Sequence, residues 1–135
     1  MDYKQFDFSK FGDGCLPGLL NIEFISTGEH SAKAKLEIKK KHFAPNGYVH
    51  AGTIVTLADT IAGYGCLYNL PSGANSFTTI ELKSNFMGAA KEGYLLGEGK
   101  MQHGGKTTQI WDVEVTSEVS GKTIALFRCT QLLIY

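Results

Sequence analysis

The sequence predicts an α+β fold in which an antiparallel sheet of about six strands wraps around one long central helix. Three observations carry this: several runs alternate apolar and polar residues, one block of 18 residues is apolar on every face, and the breaks between the runs are short and glycine-containing. Sixteen glycines against three prolines fit a strand-rich chain with many tight turns better than a helical bundle. A length of 135 residues is that of one domain, so residues 1–135 are expected to form a single unit.

The first apolar run, Leu19 to Ile25, reads as a strand, and the loop from Ser26 to His30 joins it to a second. In that second run, Ser31 to Lys39, Ala32, Ala34, Leu36 and Ile38 face one way while Lys33, Lys35, Glu37 and Lys39 face the other. This is a half-buried strand. Ala44-Pro-Asn-Gly47 then supplies turn chemistry, and the period changes. From Ala51 to Tyr68 the apolar residues Ile54, Val55, Leu57, Ala58, Ile61, Ala62, Tyr64 and Leu67 leave no polar stripe, the mark of a helix wrapped by protein. Pro71-Ser-Gly73 closes it. Four strand-like runs follow, Ser76 to Met87, Tyr94 to Gln102, Thr107 to Ser117 and Thr123 to Ile134, the last apolar on both faces and so expected to be covered on both. One sheet around one helix leaves an edge and part of the helix uncovered, which predicts pairing of at least two copies edge to edge.

Thirteen Lys+Arg against thirteen Asp+Glu leave no net field to draw nucleic acid or an anionic membrane. Met1 to Ser9 interleaves aromatic and charged residues and lacks a signal peptide's apolar run, so a cytoplasmic location is the expectation. Thr53, Thr56, Asp59 and Thr60 interrupt the block from Ala51 to Tyr68, which therefore reads as a buried helix and not a membrane span. Cys15, Cys66 and Cys129 are odd in number and far apart, which predicts free thiols. His30, His42, His50 and His103 show no ligand spacing, so no metal site is expected.

Candidate chemistry centres on Asp59, a carboxylate in mid-helix where ionisation without a partner is costly. It is either a residue that reaches a rim or a neighbouring backbone group, or a catalytic base or nucleophile. His50 precedes the helix, and the amides of Ala51 and Gly52 are among its first donors without a helical partner, suited to a developing oxyanion. Nine residues at about 1.5 Å each put His50 and Asp59 about 13 Å apart, too far to share a small site. A site that uses both must draw them from two subunits.

The run Asn46-Gly-Tyr-Val-His-Ala-Gly-Thr-Ile-Val-Thr-Leu-Ala-Asp59 resembles the signature of the hotdog-fold acyl-CoA thioesterases of the PaaI type. Gly47, His50, Gly52 and Asp59 match that pattern in register, and the order of strands and helix is similar from about Leu19 to Ile134. Ala51 stands where the pattern has a glycine, and still offers its amide. Ala44 stands at the usual Asn position, so Asn46 serves that role only if the loop is displaced. The resemblance implies that Asp59 activates water or attacks the thioester, that the Ala51 amide of a neighbouring subunit holds the oxyanion, and that His50 positions the thioester. It also implies a water-holding role for Thr79, which otherwise reads as an ordinary strand residue. A homodimer, assembled further as a dimer of dimers, and no separate cofactor are the corresponding expectations, coenzyme A being part of the substrate.

For the phosphates of coenzyme A the chain offers Gly105 and Lys106 in the hairpin His103-Gly-Gly-Lys-Thr107, together with Lys83 and Lys91, all equally readable as solvated surface. Two other readings compete. A noncatalytic acyl-CoA-binding module would keep the pocket but has no use for Asp59. A hotdog dehydratase is suggested by His42-Phe43, but the acid expected fourteen residues later is Thr56.

Overall fold

The computed structural model describes residues 1–135 as one six-stranded antiparallel sheet with a long helix packed across it. A short helix α1 (Leu16–Leu19) leads into β1 (Ile22–Gly28) and β2 (Ser31–Glu37), followed by α2 (Ala51–Tyr68). Then come β3 (Ser76–Phe86), β4 (Tyr94–Gly104), β5 (Thr108–Ser117) and β6 (Thr123–Ile134). The spatial order is β1-β2-β4-β5-β6-β3, which makes β1 and β3 the two edges. This is the hotdog arrangement, with α2 at the residues the apolar block marks.

Glycine sets how closely α2 and the sheet approach. A methyl group at Gly97 of β4 would sit 2.2 Å from Ile61, and one at Gly65 of α2 would sit 2.5 Å from the Trp111 ring. Leu57, Ile61, Ala62, Leu95, Trp111, Val113 and Val115 form the fully enclosed centre between the layers.

Three expectations change. The chain enters β1 at Ile22 instead of Leu19, because Pro17 in the first turn starts a helical turn through Leu19 and Asn21 bends the chain at a φ of 58°. The strand then runs on to Gly28, leaving only Glu29 and His30 as the hairpin loop. Finally, β6 is covered on one face only within the chain: Phe127, Cys129, Gln131 and Leu133 point at α2, while Leu126, Leu132 and Ile134 are exposed on the outer face.

The N-terminal residues form a strap that the alternation of aromatic and charged residues does not announce. Two 3₁₀ turns, Tyr3–Gln5 and Phe8–Lys10, are capped by the side chains of Asp2 and Asp7. They bring Phe6, Phe8 and Phe11 together, and Phe8 is buried against Phe24 of β1 and Tyr64 of α2. No helix is long and apolar enough to cross a membrane.

Candidate active site

The N-terminus of α2 is built by two histidines with different tasks. His42 is fully buried: its Nδ1 accepts the Lys39 amide at 2.9 Å and its Nε2 donates to the Leu20 carbonyl at 2.7 Å. Both ring nitrogens are spent on backbone, which leaves none for a dehydratase-like role. Its own carbonyl accepts from the His50 amide and from the Thr53 hydroxyl, fixing where the helix starts.

His50 is the N-cap, with extended backbone at φ −63° and ψ 137°, and its Nδ1 accepts the Gly52 amide at 2.7 Å. Gly52 is therefore not a free donor, a departure from the expectation that both amides are unpaired. The exposed Ala51 amide has no partner within the chain and is the free N–H at this positive helix end. Asn46 folds back on its own turn, where its Oδ1 accepts the Tyr48 amide at 3.3 Å, and it makes no hydrogen bond with His50 or Asp59.

Two turns further along, Asp59 lies half-buried on the flank of α2 that faces β3. The Thr79 hydroxyl of β3 is 3.5 Å from Asp59 Oδ1 and donates to Gln131 Oε1 of β6 at 2.7 Å. Desolvation raises the Asp59 carboxyl above the ordinary aspartate value of 3.8, and the Thr79 hydroxyl opposes the rise. None of the chain's ion pairs involves Asp59. One turn on, Gly63 leaves space that the Phe77 ring fills: a methyl group there would sit 2.9 Å from the ring edge. Behind Asp59, burial pushes the Cys129 thiol up to about 12, with the Asp59 charge adding to it, and burial likewise pushes Cys66 up to about 12.

Asp59 and Thr79 are thus brought together within one chain, and His50 with Ala51 forms a separate group about 12 Å away along a regular helix. The cations proposed for the nucleotide are dispersed. Lys91 lies over the Tyr48 ring near the start of α2, and Lys83 sits on the outer face of the sheet beside Arg128. Lys106 and Gly105 occupy the β4–β5 turn, where the Lys106 carbonyl accepts from the Tyr135 hydroxyl. Gln131, fully buried beside Thr79, is absent from the sequence-based candidates. Its only signal is its place among the inward-facing residues of β6.

A model of the thioesterase superfamily matches residues 46–124, the stretch that holds the α2 N-terminus, Asp59 and Thr79. The chain belongs to the thioesterase superfamily. Membership places it among the thioester hydrolases, in agreement with the resemblance carried by Gly47, His50, Gly52 and Asp59. It is 30% identical over 111 residues to a 1,4-dihydroxy-2-naphthoyl-CoA hydrolase of Listeria monocytogenes, covering 82% of this chain and 89% of the relative. Among solved structures it is similar to the PaaI protein of the Escherichia coli phenylacetic acid degradation operon, with a TM-score of 0.79 and 25% identity over 88% of this chain and 83% of that one. A mutant of thioesterase PA1618 from Pseudomonas aeruginosa shares the thioesterase fold along 99% of both chains, with a TM-score of 0.87 at 20% identity.

Proposed function

We propose that this thioesterase cleaves acyl-CoA thioesters to free acid and coenzyme A, with Asp59 as general base at a site shared between two copies of the chain. The observation that carries the reading is a half-buried carboxylate, without a cationic partner, set beside a hydroxyl on the open flank of α2. A water held between Asp59 and Thr79 would lose its proton to the carboxylate as it attacks the thioester carbonyl. The carbonyl oxygen, becoming an oxyanion, would be met by the Ala51 amide of a second subunit, with His50 beside it to position the thioester.

The need for a second copy follows from distance and from the sheet edge. Ala51 and Asp59 of one helix cannot reach one carbonyl group. The edge strand β3 carries exposed Ile80, Leu82 and Phe86, and pairing it with its own copy would cover them while bringing the partner's helix start towards Asp59. The CoA-thioester activity named for the Listeria monocytogenes relative supports coenzyme A as the leaving group.

The test is thiol release from a panel of aryl and aliphatic acyl-CoAs by the wild type and by Asp59→Asn, each confirmed as folded. Turnover that collapses in Asp59→Asn supports the proposal and ranks the acyl groups. Wild-type protein that binds the thioesters and shifts its Tm without releasing thiol belongs to a binding module. Attack by Asp59 as nucleophile is identified by a single turnover in ¹⁸O-water in which label enters the Asp59 carboxyl, through opening of the mixed anhydride at that carbonyl; a base leaves the Asp59 carboxyl unlabelled and puts the label in the product acid alone.

A further inference from the structure

Asp59, Thr79 and Gln131 form a short polar row between α2, β3 and β6, closed at its inner end by Cys129. Gln131 has no solvent exposure, and Thr79 and Gln131 are directly opposite each other in the β3–β6 ladder. A buried glutamine among apolar neighbours is expensive unless its oxygen and nitrogen are both satisfied. Here Oε1 accepts from Thr79 at 2.7 Å and Nε2 donates to Cys129 Sγ at 3.4 Å.

The Thr79 hydroxyl has one proton and two acceptors within reach. At 2.7 Å the contact to Gln131 has the length of a full O–H···O bond, whereas a hydroxyl given to a carboxylate closes to about 2.5–2.7 Å. The 3.5 Å to Asp59 is far outside that range. The proton is therefore given chiefly to Gln131, and Asp59 receives only the long, weak remainder of it. An amide turned the other way would donate to Thr79, free its proton for Asp59 and draw the two oxygens together, which the geometry does not show.

We infer that Gln131 is a positioning residue that holds the Thr79 hydroxyl proton away from Asp59, and so keeps Asp59 a stronger base than its nearest donor would allow. It touches neither water nor thioester and acts through Thr79. The inference rests on the reading of Asp59 as general base. Around Asp59 the ionisable groups are Cys129 facing it from β6, with Cys66 of α2 next to that thiol; Glu81 of β3 and Asp112 of β5 act on Cys129 from the outer face.

The experiment compares the pH dependence of kcat/KM for the wild type, Gln131→Met, Thr79→Val and the double variant, with Asp59→Asn alongside. With the Gln131 oxygen gone, the Thr79 hydroxyl turns wholly to Asp59. The acid limb then moves down by about half a pH unit while kcat falls about two- to threefold, because a better-stabilised carboxylate is a weaker base. Thr79→Val moves the limb the other way, and adding Gln131→Met to it changes neither the limb nor kcat further. Gln131→Asn, one methylene too short to reach Thr79, keeps a polar group at the site and should reproduce the downward shift if Gln131→Met does not fold. An acid limb that stays put or moves up in the Gln131 variants, or effects that add in the double variant, overturn the inference. If Asp59→Asn also remains as active as wild type, the base reading itself has failed; if it is inactive, only the role of Gln131 has.

Discussion

The two flanks of α2 face opposite edges of the same sheet, and the chain finishes them in opposite ways. On the β1 side, Tyr64 is packed among Phe8, Phe11 and Phe24, and the N-terminal strap lies over that side of the helix. Such aromatic pairs contribute about 0.5–1.5 kcal/mol each beyond the area they bury. On the β3 side, Asp59 and Thr79 meet beside an edge strand whose Leu82 and Phe86 stay 43% and 45% exposed. The closed flank consolidates the fold. The open flank keeps a carboxylate whose burial works against ionisation, a stability cost retained where chemistry is proposed.

Substitutions on the open flank should therefore strike activity and those on the closed flank stability. The largest effect is expected from Asp59→Asn: loss of a positioned base lowers kcat by roughly 10²- to 10⁴-fold. The same change should raise Tm by a few degrees at neutral pH. Because the folded-state pKa of Asp59 lies above the ordinary 3.8, its stabilising share is present below that value and lost as pH rises through the folded pKa. The advantage of Asp59→Asn therefore shrinks to nothing in acid, which scans of both proteins from pH 3.5 to 8 would show.

Phe8→Ala comes next and inverts the pattern. Removing a buried ring should destabilise the fold by about 3 kcal/mol in urea unfolding, while kcat of the folded enzyme stays within about twofold of wild type. A loss of kcat comparable to that of Asp59→Asn would mean that the two flanks are not separate in function. Smaller still is the effect of Thr79→Val. It removes the hydroxyl that opposes the rise of the Asp59 pKa, so the acid limb of kcat/KM should move to higher pH by about half a unit.

How legible each flank is in the sequence follows from the range of its contacts. The bounds of α2 could be read because a block with apolar residues on every face and the turn chemistry before and after it are local signals. The strap could not: Tyr3, Phe6, Phe8 and Phe11 become a cluster only when Phe24 and Tyr64, distant in the chain, arrive beside them. Asp59 stood out as a carboxylate in an apolar helix, but its neighbour Thr79 came from family resemblance, since nothing in local spacing relates residue 59 to residue 79. Gln131 was hidden inside a strand read as apolar on both faces, where a single inward polar residue has no pattern of its own. The pairing of His50 Nδ1 with the Gly52 amide is a rotamer choice that spacing does not determine, and it alone separates Ala51 from Gly52 as the free donor.

That free donor gives access to the central claim, a site completed by two copies. Ala51 is the first residue of α2, and His50 before it already has the extended backbone that a following proline requires. Ala51→Pro therefore removes the N–H and little else. The decisive measurement is thiol release from Ala51→Pro and Asp59→Asn, first each alone and then co-expressed as mixed oligomers. A site shared across subunits predicts two nearly inactive variants that together recover about a quarter of wild-type activity, since half of randomly paired dimers carry one intact site. Mixed oligomers as inactive as their parents would contradict it, as would an Ala51→Pro protein with wild-type turnover.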